Sequence, residues 1–330
     1  MTRQYTEIVV VGDDKKGLIA RVTSLLFERG VNIEDLDQAV REGVFRMTLH
    51  VDTDEMIVKD ETLRDDLHGL GDELGVDIQV RFPSDRGTDR LAVLVTKESH
   101  CLEALFQARE EGELDAEISV VIGNHPDLEP LAAERGVDFH DIGDEGVPDE
   151  NRLLDLLGEY EIDLVVLARY MRILSPNVVF RYESRIINVH PSLLPAFPGA
   201  EAYRQAREEG VRVAGVTAHY VTTDLDQGPI ITQRAFDAPA GADVETLERR
   251  GQPLEAEALV EAVRLHLDDA VSVYHGRTEF RDEVDRSDYR LGLPDEAQSL
   301  RPAEPRDGAG LEYDVDVDIA PEAPESAEDD

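Results

Sequence analysis

The chain has 330 residues, enough for two domains and a tail, and carries 73 acidic against 33 basic residues, a formal net charge of −40. That charge argues against nucleic acid or an anionic membrane as a partner. The single cysteine, Cys101, excludes an internal disulfide framework and suits a reducing compartment.

Lysine is nearly absent from the basic residues, occurring only as Lys15, Lys16, Lys59 and Lys97, and the acid is spread along the whole length. Such a chain repels itself in dilute buffer. At about 1 M salt the Debye length falls to roughly 3 Å and the repulsion is screened. The composition therefore predicts a halophilic, molar-salt cytoplasm. The N-terminal "MTRQYTEIVVVGDD" lacks a charged-then-apolar signal, and no apolar run reaches the length of a membrane span, so a soluble cytoplasmic protein is expected.

In chain order, "TEIVVVG" (6–12) reads as a strand. "KGLIARVTSLLFERG" (16–30) has helical apolar spacing and a closing Gly30. "VNIEDLDQAV" (31–40) and "VFRMTLHVD" (44–52), joined by "REG", form a hairpin. "TLRDDLHGLGDELG" (62–75) is a second helix and "VDIQVRF" (76–82) a last strand. The order βαββαβ predicts a ferredoxin-like domain over residues 1–83. "PSDRGTDR" (83–90) has linker composition, which sets the linker at 84–90.

A different pattern follows over 91–295. "LAVLVT" (91–96), "ISVVIG" (118–123), "DLVVLA" (163–168) and "RIINV" (185–189) are continuous apolar strands, the first two followed by the helices "SHCLEALFQAREEG" and "DLEPLAAERG". Apolar strands separated by helices predict a Rossmann-like, mostly parallel α/β sheet covered on both faces, with ligands at the carboxyl ends of its strands. "VAGVTAHYVT" (213–222) and "GPIITQRAF" (228–236) read as an antiparallel pair, and "EALVEAVRLHLDDAVSVY" (257–274) as the last helix. The remainder, 296–330, is acidic and proline-rich and is expected to be a disordered tail.

The chemistry concentrates in "RIINVHPSLLPAFPG" (185–199). Val189 separates Asn188 from His190, so in a strand the amide and the imidazole share one face and can aim at one oxygen. Pro191, Pro195 and Pro198 stiffen the loop beyond. Asp226 lies in a turn ahead of Gly228-Pro229, where a carboxylate could pair with His190. Asn, His and Asp converging suit addition to a carbonyl: the amide stabilises the oxyanion, the imidazole supplies a proton, and the carboxylate orients the imidazole or takes a proton from water. His219 stands one strand away, either as a support or as a structural histidine. The histidines are too scattered to predict a metal site.

"INVHPSLLPAFPG", "YMRILSP" (170–176) and "DLDQGPI" together resemble the folate-dependent formyltransferase fold family over about 91–275. The resemblance implies Asn188, His190 and Asp226 as catalytic residues acting on the formyl carbonyl of 10-formyltetrahydrofolate. It also implies that Met171, Arg172, Ile173 and Leu174 meet the pterin, and that the loop with Val221, Thr222 and Thr223 closes over it. The folate is then the substrate, and no cofactor is implied. Arg169, Arg172 and Arg204 are candidates for its glutamate tail.

"DDKKGLIARVTSLLFERGVNI" (13–33) resembles an ACT domain, a small amino-acid-binding regulatory module. Whether this copy binds an amino-acid effector or only dimerises stays open, and a homo-oligomer is expected. An ACT domain ahead of a formyltransferase-like domain, with "TKESHCL" (96–102) and "GNHPDL" (123–128), resembles the hydrolytic members of the family, which release formate from 10-formyltetrahydrofolate. Glu201 and Arg204 depart from the usual pattern.

Two alternatives compete. A phosphoribosylglycinamide formyltransferase would need a glycine-bearing loop whose N–H groups cradle a phosphate; here the loop is Lys97-Glu98-Ser99-His100-Cys101, with no glycine between 91 and 110. A catalytically inactive amino-acid sensor would not need the intact Asn188, His190 and Asp226.

Overall fold

The computed structural model describes residues 5–289, apart from Arg86, Glu145, Gly146, His275, Asp282, Glu283, Ser287 and Asp288. The tail expected over 296–330 lies outside the described residues.

Residues 6–81 form β1 (Thr6–Asp13), α1 (Leu18–Glu28), β2 (Asn32–Arg41), β3 (Val44–Asp52), α2 (Asp60–Leu74) and β4 (Val76–Arg81). The sheet order is β2-β3-β1-β4, antiparallel throughout, which bears out the ferredoxin-like expectation. The β2–β3 hairpin turns on Glu42 and Gly43, both at positive φ, the backbone that a two-residue type I′ turn requires. Ile8, Val10, Met47, Leu49 and Ile78 point to one face and pack with Leu18, Val22, Leu26, Leu63 and Leu67 of the two helices.

The second sheet contains β5 (Asp89–Val95), β6 (Ala116–Gly123), β7 (Asp138–Asp141), β10 (Leu164–Ala168), β11 (Ile186–His190), β12 (Val213–Tyr220) and β13 (Ile230–Asp237). Two-residue strands β8 (Gly143–Asp144) and β9 (Val147–Pro148) pair separately. Around the sheet lie α3 (His100–Glu110), α4 (Glu129–Glu134), α5 (Glu150–Glu159), α6 (Pro176–Arg181), α7 (Ala202–Glu208) and α8 (Val244–Leu267). The order is β13-β12-β11-β10-β5-β6-β7; β11 to β7 are parallel, and β12 and β13 run antiparallel. The apolar run of β5 is continuous because both faces are covered. Leu91, Val93 and Val95 meet the α3–α8 side, whereas Ala92 and Leu94 meet α5 and α6. The chain leaves β5 toward β6 and β7 on one side, then returns to build β10 and β11 on the other. That reversal opens a crevice at the carboxyl ends of β5 and β10.

The last helix differs from expectation. It spans Val244–Leu267 rather than 257–274, and 271–274 is instead β14 (Val271–Tyr274), paired with β15 (Arg277–Phe280). Gly251 and Pro253 are poor helix formers, yet the helix runs through both. Asp243 caps its start by accepting from the Thr246 N–H (2.9 Å).

The first sheet's other face is also covered. Val9 and Val11 pack against Phe180 of α6. Arg46 on β3, buried, lies over the Phe180 ring and ion-pairs with Asp37 and Glu183. Arg181 pairs with Asp77 (3.0 Å), and Arg41 beside the hairpin tip reaches Asp224 (3.5 Å).

Candidate active site

The strand ends place the site. Ala168 is level with Val95, and Asn188 with Leu167, so the loops after β5 and β10 leave side by side next to the end of β11. The loop after β10 is pinned from below: the Met171 N–H donates to Thr96 Oγ1 (3.0 Å), whose hydroxyl donates to Asn124 Oδ1 (2.9 Å). At its other end the Ser175 N–H donates to Glu150 Oε1 (2.8 Å). Leu174 and Tyr170 are buried beneath the loop, while Met171, Arg172 and Ile173 stand exposed. Met171 and Ile173 thus leave apolar surface bare on a fixed loop, which suits a flat apolar ring.

Asn188 and His190 do share a face. Asn188 sits opposite His219 across the β11–β12 pair, and its Nδ2–H donates to His219 Nε2 (3.2 Å). The His219 Nδ1–H donates to the Tyr220 carbonyl (2.9 Å), which leaves Nε2 as the acceptor. Burial pushes the His219 pKa down, against the Tyr220 carbonyl and Asp226, so the ring stays neutral and fixes the Asn188 amide. A register shift in the β12–β13 pair falls at Ala218–His219.

His190 is held from both sides. Its Nδ1 lies 3.3 Å from Asp226 Oδ2, and its Nε2 bonds the Phe197 carbonyl (2.9 Å). Both neighbours are acceptors, so each ring nitrogen has a partner to which an N–H can donate. The Asp226 carboxylate also accepts from the Gly199 N–H (2.7 Å) and lies 3.8 Å from His219 Nε2. Asp226 has a left-handed backbone (φ 54°), a conformation that Asp tolerates better than most residues. Two residues on, Gly228 is obligatory, since a Cβ there would lie 1.7 Å from the Tyr220 carbonyl oxygen.

These groups line one cavity of about 570 Å³, together with Met171, Arg172, Ile173, Leu174, Val221, Thr222 and Thr223. Of the candidate tail-binding arginines, two are already engaged. Arg204 pairs with Glu201 and Glu208, each at 3.0 Å. Arg169 takes both oxygens of Glu98 (2.9 and 3.1 Å) and lies 3.4 Å from Glu255. Arg172 makes no ion pair with a described residue, which singles it out for an anionic tail.

The Arg169 cluster had no signal in local motifs, because its members come from the loops after β5 and β10 and from α3, α7 and α8. Fully buried Glu255 also accepts from Tyr203 Oη (2.6 Å) and bonds His100 Nε2 (3.0 Å). Burial opposes the Glu255 charge, but His100, Arg169 and Tyr203 outweigh it and hold its pKa down. His100, Cys101 and Glu255 bring ligand atoms within 4.8 Å of one another. Arg169 already supplies positive charge there, which counts against a cation, and burial raises the Cys101 pKa well above its ordinary value. Cys101 packs in the core.

The formyl transferase family model matches residues 89–263 and the ACT domain model residues 5–81. The fold and the site thus define a formyltransferase-type catalytic domain behind an ACT domain. The curated formyltetrahydrofolate deformylase of Synechocystis sp. is 38% identical over 279 residues, covering 82% of this chain and 96% of that protein. The chain belongs to the formyltetrahydrofolate deformylase family. A crystal structure of a formyltetrahydrofolate deformylase from Pseudomonas syringae superposes with a TM-score of 0.57 at 31% identity, over 84% of this chain and 94% of that one. A phosphoribosylglycinamide formyltransferase from Anaplasma phagocytophilum reaches the same TM-score at 32% identity but covers 63% of this chain and 98% of its own.

Proposed function

We propose that this chain hydrolyses 10-formyltetrahydrofolate to tetrahydrofolate and formate. The observation that carries the reading is the convergence of Asn188, His190 and Asp226 on one cavity whose loop 171–173 offers an apolar seat and an arginine with no ion pair to a described residue. The Asn188 amide polarises the formyl oxygen as it becomes an oxyanion, and the His190 ring joins it once its Nε2 turns from the Phe197 carbonyl to that oxygen. Asp226 takes the proton of the attacking water as the new C–O bond forms. The C–N10 bond then breaks as protonated His190 gives its proton to N10; formic acid leaves and ionises to formate in solution, and Asp226 passes the proton it took from water to His190, which restores both groups.

A transferase is less well supported. Glu98 and Glu248 line the cavity, so a phosphorylated acceptor would meet negative charge. The structures of that class also leave a large part of this chain unmatched. An inactive sensor would have no use for the His190–Asp226 pair.

The same reading has the released formate supplying purine biosynthesis or balancing the one-carbon folate pools, in a cytoplasm of molar salt. No cofactor or metal takes part, the ACT domain is open to an amino-acid effector, and the chain forms a homo-oligomer. Among the described residues no helix is long and apolar enough to cross a membrane. The test is formate release from 10-formyltetrahydrofolate with and without glycinamide ribonucleotide. Equal release in both is expected; turnover that needs the acceptor would overturn the hydrolase.

A further inference from the structure

We propose that Glu98 is the residue that restricts the formyl acceptor to water, by occupying the guanidinium of Arg169 and so closing an anion site in the cavity wall. This rests on the hydrolase reading above and extends it from what the enzyme does to what it refuses.

Arg169 stands at the end of β10 with a left-handed backbone (φ 61°), and it lines the same cavity as His190 and Asp226. A nearly buried arginine beside a catalytic cavity is a natural seat for a phosphate or carboxylate, because its planar fork matches two anionic oxygens. Here the fork is filled by the chain itself. Glu98 bonds both Nε and Nη2, and Glu255 approaches Nε from within the core. Burial works against the Arg169 charge, yet Glu255 and Glu98 outweigh it and raise the pKa, so the cation is permanent and fully engaged.

The two carboxylates have different duties. Glu255 has no exposure and is held by Tyr203 and His100 as well, so it belongs to the core network. Glu98 is 40% exposed on its side chain, and besides Arg169 it approaches only the His100 ring among the described basic residues, at 3.9 Å from Nδ1. It is the removable partner. With it, Arg169 faces two negative charges and the wall repels an anion. Without it, Arg169 and Glu255 balance, and the Nη2 edge that faced Glu98 is open to the cavity.

The test uses the full chain and inorganic phosphate as probe, at ionic strength matched with chloride. Equilibrium binding is measured without folate, so its result does not depend on whether hydrolysis is observed. Wild type should show no saturable phosphate binding. Glu98→Gln, which removes the charge and leaves at most one neutral acceptor against the fork, should bind phosphate saturably, at least roughly tenfold more tightly than the weakest affinity at which wild-type binding would be detected. Adding Arg169→Gln to Glu98→Gln should abolish the gain. Equal binding by wild type and Glu98→Gln, absence of binding in both, or a gain that survives Arg169→Gln would each overturn the proposal. Glu98→Ala is the second variant, and failure of both Glu98 variants to fold would assign Glu98 to stability rather than acceptor choice, which also overturns it.

Discussion

His190 works through what surrounds it. Asp226 and the Phe197 carbonyl fix the ring on both nitrogens, so the imidazole reaches the substrate already oriented. His190→Ala removes the proton donor and part of the carbonyl polarisation; formate release should fall by roughly 10²-fold or more, while the melting temperature changes little. Near-normal turnover would take His190 out of the mechanism. Asp226→Asn keeps the size of the side chain and loses its charge and basicity. It should abolish most hydrolysis while folate still binds at Met171–Ile173 and the 221–223 loop. Folate affinity and formate release measured on one preparation decide it, since joint loss would make Asp226 a shaper of the pocket. The placement of Asn188 and His190 on one face was legible in "NVH", because period 2 is a local property of strands. The role of His219 was not: its bond to Asn188 depends on the register between β11 and β12, which no local motif encodes.

Among the elements, α8 shows where local signals mislead. Gly251 and Pro253 are poor helix formers, yet packing against α3 and the sheet carries the helix through them. Gly251 is there for Tyr203: a Cβ would lie 1.7 Å from the tyrosine hydroxyl that bonds Glu255. Gly251→Ala should therefore destabilise by about 1–3 kcal/mol in denaturant titration, although propensity alone favours alanine; a stabilised variant would mean that Tyr203 moves freely. Near the other end of α8, burial pushes the His266 pKa down to about 4 from 6.5. Above about pH 6.5 both folded and unfolded forms are neutral. Below it the unfolded chain binds a proton that the folded one refuses, so stability drains away from about pH 6.5 to about 4, by about 3 kcal/mol in all. His266→Gln keeps a hydrogen-bonding partner for the Tyr220 hydroxyl and should flatten the fall in melting temperature over that window. An unchanged slope would place the acid sensitivity elsewhere. The parallel strands were legible because both-face burial makes them continuously apolar. β7, with its sequence DFHD, was not, since an edge strand this short carries no such run.

For the molecule as a whole, charge dominates. With a net charge of −40, dialysis from molar to low salt should reduce helical circular dichroism and formate release together. Full retention of both would remove the molar-salt habitat from the proposal. The two-sheet architecture was visible as a change of periodicity near residue 90, but the way the sheets meet was not. It rests on Val9, Val11 and Arg46 against Phe180 and Glu183, residues far apart in the chain and individually unremarkable.

That meeting surface has a consequence in time. A ribosome finishes β4 at Arg81 and must add 102 more residues before Glu183 exists (183 − 81). At about 5–20 residues per second, the ferredoxin-like sheet waits for roughly 5–20 s with one face uncovered. A broad apolar face left bare that long invites pairing with other nascent chains. Here the vacant face is small, and Arg46, already paired with Asp37 on its own hairpin, keeps a charge in its middle until α6 arrives.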